Sequence, residues 1–567
     1  MPLPPRDRKP HFRWASLLAL GFSTLLVLTG CGSSENAGSK HTSDSPVSGG
    51  TLRLAFDADP GCVDGQQAGQ NVALNVTRQV TDSLTYQDPD SGELEPWLAE
   101  SWDANDDSTE FTFHLRDGVT FQDGTDFTAQ SVKNNLRAIQ DLGAKASLGS
   151  TYLTGLSDIR TPDDRTVTVD FDEPNAQFLQ ATSTMTLGFY SDATLAKSAE
   201  DRCGGDVVGT GPFRLAKYTP RQSVHLDRFD DYAWAPDSAD HTGAAYLDAV
   251  DMSIVPEATV RNGSLASDQI DVDTVVQPQD EELLQASDYK ILDRPNPGVV
   301  YNLILNESRP LFSEERVRKA LTKSIDRDQL RALLSRYQEP ATSLLARSTP
   351  DYQDVSDLLG HDRDGAAKLL DQAGWTMNHK TGLREKDGQT LSFTVKYWQS
   401  APFLELVQQQ LRESGIEMKL EQTTVANTEA SRQSGEADAE FMNLTRSDPD
   451  VLRTVFDANG ANRNRREPAQ VDQDLDRSAG VKDPTERKKL VDDSVSALIE
   501  DAHSVPLVEL SGVMATSPHV QGFRYEASSR FELYDTWLDD ADGTTGPGSG
   551  PSSDAGPGSN SARGGTQ

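Results

Sequence analysis

The residues in this sequence best suited to chemistry are binding groups. Tyr397-Trp398-Gln399 sets two aromatic faces beside a carboxamide, and the run from Asn443 through Thr445 and Arg446 to Asp448 adds an amide, hydroxyls, a guanidinium and a carboxylate. Aromatic faces and directed polar groups are what a crevice needs to hold a small solute. Reacting constellations are missing: there is no His-Glu-x-x-His, no Gly-x-Ser-x-Gly, no Cys-x-x-Cys and no Walker loop, and the nine histidines are scattered singly. Asp57/Asp59 and Asp88/Asp90 start like calcium loops but lack the third ligand and the glycine at the required spacing, so they read as surface turns. The expectation is a protein with no catalytic residue, no metal and no cofactor. A secreted hydrolase, its carboxylate pair assembled from distant positions, stands as the alternative.

Both binding segments follow strands. Leu391, Phe393, Val395 and Tyr397 alternate, Pro402 opens a helix through Leu404, Val407 and Leu411, Gly415 ends it, and Ile416, Met418 and Leu420 alternate again, a β-α-β unit. Ligands of open α/β sheets collect outside the carboxyl ends of the strands, where Trp398, Gln399 and Ser400 fall. Trp398 there either meets a ligand or covers the helix start. A second strand, Ala439 to Leu444, brings Thr445 to Asp450 to the same crevice, so the two groups are expected to face each other.

Around them, Phe111 to Leu115 and Val119 to Phe121 alternate about Asp117-Gly118, which predicts a hairpin. A helix capped by Thr128 follows, with Val132, Leu136 and Ile139 inward. Leu52, Leu54 and Phe56 make a first strand, and the loop from Asp57 to Gly65 after it is expected at the ligand. Asn71 to Leu84 has a valine or leucine every fourth residue along most of its length, as an amphipathic helix does. Met252 to Val276 reads as strand, helix and parallel strand. Gly209-Thr210-Gly211-Pro212 lacks the spacing of a phosphate loop and reads as a tight turn. VVYNLIL from Val299 is a central strand, Ser313 the cap of the helix after it, and Asp364 to Ala373 a helix ended by Gly374. Trp97 and Trp102 are expected in the core.

A chain of 567 residues exceeds one core. The formal charge of −36 argues against nucleic acid or an anionic membrane surface as partner. Arg6, Arg8, Lys9 and Arg13 precede seventeen uncharged residues, Trp14 to Gly30, the pattern of a secretory signal. Leu28-Thr29-Gly30-Cys31 is similar to a bacterial lipobox, which makes Cys31 the lipidated N-terminus after cleavage, held at the bilayer by ~0.8 kcal/mol per buried CH₂. Cys62 and Cys203 then remain as an even pair in an oxidising compartment, either bonded or as two thiols, and a disulfide is expected. Gly543 to Gln567 carries eight Gly, three Pro and five Ser among 25 residues, a disordered tail by composition.

The stretch Glu110 to Ile139, with VGTGPFRLAKYTPRQSVHLDRFDDY from Val208, YNLILNESRPLFSEERVRKALTKSIDRDQL from Tyr301 and RSDPD from Arg446, resembles the family 5 bacterial extracellular solute-binding proteins over roughly residues 50 to 540. The resemblance implies an α/β fold, two-lobed and periplasmic-binding-protein-like (class II, cluster C), with hinge strands and an extra subdomain inserted in lobe 1. The division it implies is a signal peptide at 1–30, a lipidated tether at 31–49, lobe 1 at 50–85, 165–280 and 511–540, the inserted subdomain at 86–164, lobe 2 at 281–510 and the tail at 541–567. The chain crosses between lobes more than once, so the linking strands act as a hinge. It further implies a monomeric lipoprotein receptor of an ABC importer on the outer face of the cytoplasmic membrane, with a peptide or other polar solute and the permease subunits as partners. A sensor lipoprotein for a sugar, opine or metal chelate is the other alternative. Peptide-binding members hold the ligand's ammonium with an aspartate where this chain has Thr445, and dipeptide receptors place an arginine after the strand that ends at Tyr397. Here Trp398-Gln399-Ser400-Ala401-Pro402 has none. Arg446 and Asp448 are candidates to take over, and a free dipeptide held at both charged ends is disfavoured.

Overall fold

Alternating apolar residues build two large sheets in the computed structural model, which describes residues 45–146, 148–398 and 401–539. The signal segment, Cys31, most of the tether, Gln399 and the tail lie outside the described residues. The first sheet has seven strands in the order Lys290–Pro295, Ser511–Thr516, Val272–Asp273, Thr51–Phe56, Ala249–Ile254, Ser223–Arg228 and Phe213–Thr219. Ala249–Ile254 and Val272–Asp273 are parallel, as the strand-helix-strand pattern requires, but Thr51–Phe56 lies between them and pairs with both. Lys290–Pro295 pairs along its whole length with Ser511–Thr516, so the first sheet's share of the chain runs to Pro295, past the expected boundary at 280.

A four-stranded sheet, Ala99–Ala104, Glu110–Leu115, Thr166–Phe171 and Leu156–Asp163, shares the first core. The expected hairpin does not form. Glu110–Leu115 has both edges occupied, by Ala99–Ala104 and Thr166–Phe171, leaving none for residues 119–121. Val119 and Phe121 are buried all the same, in a tight loop closed by the Phe121 N–H on the Thr125 carbonyl at 2.8 Å. The helix Ala129–Leu142 begins at a capping box formed by Thr128 and Ser131. Trp97 is buried, and Trp102 packs against the same core.

The helix Asn71–Val80 ends before Leu84 at an extended Thr81, and residues 81–84 continue buried. Gly209 and Gly211 press on that turn: a Cβ on Gly209 would lie 2.1 Å from the Val80 carbonyl oxygen, so the glycines permit close backbone approach. The helix buries two amides. Gln79 donates to the Phe531 carbonyl at 2.8 Å and accepts from the Leu533 N–H at 3.1 Å, and Asn75 accepts from the Phe531 N–H at 3.2 Å. Asp82 is fully buried and accepts from the Trp234 indole at 2.8 Å and the Tyr232 hydroxyl at 3.4 Å. Cys62 and Cys203 form a disulfide with Cα atoms 4.3 Å apart.

The second sheet orders Glu339–Pro340, Ser504–Glu509, Gly298–Leu305, Ala439–Thr445, Ser392–Tyr397 and Glu417–Gln422. Gly298–Leu305 is buried at every position, as its nearly continuous apolar run requires. Asn302, equally buried, interrupts the apolar run, at a register shift in both ladders. Its amide donates to the Val300 and Met442 carbonyls at 2.8 and 3.0 Å and accepts from the Ser504 hydroxyl at 2.8 Å, so nothing polar on it is wasted. The β-α-β unit stands as read: Ser392–Tyr397 and Glu417–Gln422 are parallel, joined by the helix Phe403–Glu413. Ser313 is not the cap expected. Its hydroxyl donates to the Pro310 carbonyl at 3.0 Å, and the helix Glu315–Ser324 starts after Glu314 with no side-chain cap.

The chain passes between the sheets at residues 296–297 and at Leu510. The Asn296 N–H donates to the Leu510 carbonyl at 2.8 Å, so the two crossings run as one ribbon. Beside it Gly298 holds φ +105°, and a Cβ there would meet the Leu444 carbonyl oxygen at 2.3 Å.

Candidate functional site

A cavity of about 710 Å³ lies between the two sheets. Phe56, Asn71, Gln277, Met514 and Tyr525 wall it on the first-sheet side, and Asn296, Tyr301, Gln338, Trp398 and Phe403 on the other. Both crossings contribute, through Asn296 and Leu510. Trp398 and Leu333 line it while 40% and 46% exposed, so a solute seated there removes apolar surface from water. Tyr301 is held from behind by Phe441, with ring centroids 5.0 Å apart and nearly parallel planes. Burial pushes its hydroxyl above the usual tyrosine range, so it stays protonated and able to donate.

Six carboxamides, those of Asn71, Asn75, Gln277, Gln279, Asn296 and Gln338, share the wall. Asp57, the first residue of the loop expected at the ligand, is its one carboxylate, and no Lys, Arg or His is among its described residues. Such a surface binds by stacking and by directed neutral hydrogen bonds.

The charged candidates lie apart from this wall. Asp448 accepts from Arg487 at 2.6 Å and from the Asp450 N–H at 2.8 Å, a pairing internal to the second half. Arg446 is 3% exposed and reaches across to the first half, donating to the Thr151 hydroxyl at 2.6 Å and lying over the Tyr152 ring at 4.4 Å. With Thr445, Ser447 and Arg530 it lines a smaller cavity of about 20 Å³. Thr445 accepts from the Asn296 amide at 3.2 Å. Tyr397 packs against the second core, and Asn443 is half-buried on the Ala439–Thr445 strand. Of the residues singled out from sequence, Trp398 is on the large cavity's wall, and Thr445 and Arg446 are on the small one's.

Asn71, Leu333, Tyr525 and Arg530 escaped the sequence reading. Asn71 opens a helix, and attention to helix N-termini at the crevice would have found it. Tyr525 and Arg530 lie in the returning segment, where no periodicity marks them.

Residues 93–464 match the model of the bacterial extracellular solute-binding proteins, family 5. The glutathione-binding protein GsiB of Escherichia coli K12 is 25% identical over 500 residues, covering 84% of this chain and 92% of that protein. The oligopeptide-binding protein AppA of Bacillus subtilis is 26% identical over 417 residues, covering 70% and 73%. NikA from Brucella suis, solved in complex with Fe(III)-EDTA, superposes with a TM-score of 0.74 at 23% identity, covering 86% of this chain and 100% of that one, and so shares the fold. Two sheets joined by a paired crossing, a cavity between them and a family match over most of the chain agree: this protein belongs to the bacterial extracellular solute-binding proteins of family 5.

Proposed function

We propose that this protein captures an oligopeptide or similar polar solute between its two halves outside the cell and delivers it, unchanged, to the permease subunits of an ABC importer. The observation that carries the reading is the cavity of about 710 Å³ walled by both sheets and floored by the two crossings. Rotation about that ribbon opens and shuts the cavity, and a solute touching both walls favours the shut state by its differential affinity. Stacking on Trp398 and Tyr301 and hydrogen bonds from the carboxamides suit a chain of peptide groups, and two relatives carry peptide ligands in their names. No residue of the wall is assigned a catalytic role. In this reading the chain is a monomer, Cys31 carries the lipid that holds it at the outer face of the membrane, residues 86–164 form an inserted subdomain, and the lobes divide at 296–297 and 510.

Native mass spectrometry of protein purified from its own host tests this. A retained peptide, together with a smaller radius of gyration when that peptide is added back to stripped protein, is the expected result. Superimposable scattering curves with and without the retained solute would refute closure.

A further inference from the structure

A second cavity, of about 400 Å³, lies wholly within the first half, between the loop of Asp88 to Asp90, the edge strand Lys290–Pro295 and the returning segment at Phe523 to Tyr525. Its wall carries two polar groups with nothing to bind. Tyr525 is 8% exposed, and its buried hydroxyl has no hydrogen-bond partner. Burial and then the Asp293 charge push that hydroxyl above the usual tyrosine range, with Arg294 opposing, so it stays protonated within the field of the Asp293 carboxylate. Asp293 itself opens to the cleft, and no donor or cation among the described residues pairs with it. Partial burial alone acts on its carboxyl, pushing it up.

The cations on this wall are already engaged. Arg524 pairs with Asp535 at 2.7 Å and with Glu532 at 3.5 Å. Arg294 donates to the Pro89 carbonyl at 2.5 Å, which ties the loop to the edge strand, and its charge acts on Asp88. Asp88 also accepts from the Ser91 N–H and hydroxyl, at 2.6 and 2.7 Å. Asp293, and Asp90 at the exposed loop, are left without an ion pair among the described residues, so the cleft keeps an excess of negative charge. Its carboxylates do not converge as a metal site, since no group of three metal-ligating side chains is present among the described residues. The rest of the wall is largely aromatic, with the rings of Tyr86, Phe523 and Tyr525. Aromatic faces beside a carboxylate suit an organic ammonium ion, whose charge the rings attract and whose alkyl part they cover.

We propose that this cavity is a second binding site, for a small primary amine whose ammonium donates to the Asp293 carboxylate and the Tyr525 hydroxyl while its alkyl chain lies on the Phe523 and Tyr525 rings. A primary ammonium brings three donors and no acceptor, which matches an unpaired carboxylate next to an unpaired hydroxyl oxygen. The volume falls in the range of small-ligand sites. Tyr525 also walls the cavity between the halves, so one ring divides the two sites. The amine site is built from the first half alone and does not rest on the identity of the solute captured between the halves.

The test is calorimetry on the full-length protein with hexylamine as probe and hexanol as its uncharged match, at about 150 mM salt to screen unspecific attraction to the acidic surface. Hexylamine saturates one site, hexanol binds more weakly by about tenfold or more, Asp293→Asn weakens the amine by about tenfold, and Tyr525→Phe weakens it by about threefold. Equal affinity for amine and alcohol overturns the ammonium site, and so does the absence of saturation by the amine. Loss of amine binding on Asp57→Asn, at the one carboxylate of the large cavity, with no loss on Asp293→Asn, would put the amine among the solutes captured between the halves and overturn the second site. The comparison of amine with alcohol on wild type decides even if a variant fails to fold.

Discussion

Asp82 turns the burial of one carboxyl into a measurable dependence on pH. Its side chain is 0% exposed, and burial pushes it up to about 8 despite hydrogen bonds from Trp234 and Tyr232 and the attraction of Arg78. In the unfolded chain an aspartyl group titrates near ~3.9. Between those values the folded protein holds a proton that the unfolded chain has released, so the unfolded state binds fewer protons and stability falls as pH rises. The contribution is complete below about pH 4 and is lost by about pH 8. A displacement of about four units, at ~1.4 kcal/mol each, sets a ceiling on the order of 5 kcal/mol, and relaxation of a charged core trims it to about 2 to 3 kcal/mol. Asp82→Asn keeps the shape and an acceptor for the Trp234 indole but cannot titrate. Urea unfolding of both proteins at pH 5 and pH 8.5, disulfide intact, isolates the term. Glu509, pushed up to about 7 by burial, is present in both and cancels. Wild type loses about 2 kcal/mol more than Asp82→Asn across that interval. Parallel losses would show that Asp82 is ionised in the folded core and refute the reasoning.

Three further outcomes follow from the same geometry. Asn302→Ala removes three buried hydrogen bonds and costs about 3 kcal/mol by denaturant unfolding, and adding Ser504→Ala recovers part of that by removing the orphaned hydroxyl. A loss below about 1 kcal/mol would mean that water replaces the amide. Trp398→Ala weakens binding of the host-retained solute by about tenfold in calorimetry while the melting temperature of the solute-free protein stays put, since the ring is 40% exposed. Replacing Cys62 and Cys203 with Ser opens a loop with sequence separation 141, for which chain entropy gives a ceiling of about 5 kcal/mol, seen as an earlier unfolding midpoint. An unchanged midpoint would show that the unfolded chain gains nothing from the break.

Where a local pattern decides a structure, the sequence was enough. The unit from Ser392 to Gln422 was legible because strand period, helix period and a terminating glycine, Gly415 at φ +82°, all occur within one short stretch. Gly298–Leu305 was legible because burial on both faces leaves no polar alternation. The residues after Asp117 were not: alternation of Val119 and Phe121 records burial, and whether burial comes by strand pairing depends on which edges distant strands have taken. The same holds for the site. Trp398 follows a readable strand, whereas Tyr525 and Arg530 come to the cavities from more than four hundred and fifty residues beyond Asn71, by a fold-level return that no window can see. Asp448 looked like a ligand group because its partner, Arg487, is remote in sequence.

The amides of Asn75 and Gln79 find their partners at Phe531 and Leu533, some 450 positions later. During synthesis and export the N-terminal half therefore cannot settle when it emerges. Its leading helix carries unsatisfied buried groups, and its sheet lacks the Ser511–Thr516 strand, until almost the whole polypeptide is out. The later-made half, continuous from residue 298 to 509, is free to mature first. Loss of the last described residues would thus undo the beginning of the molecule and spare its middle.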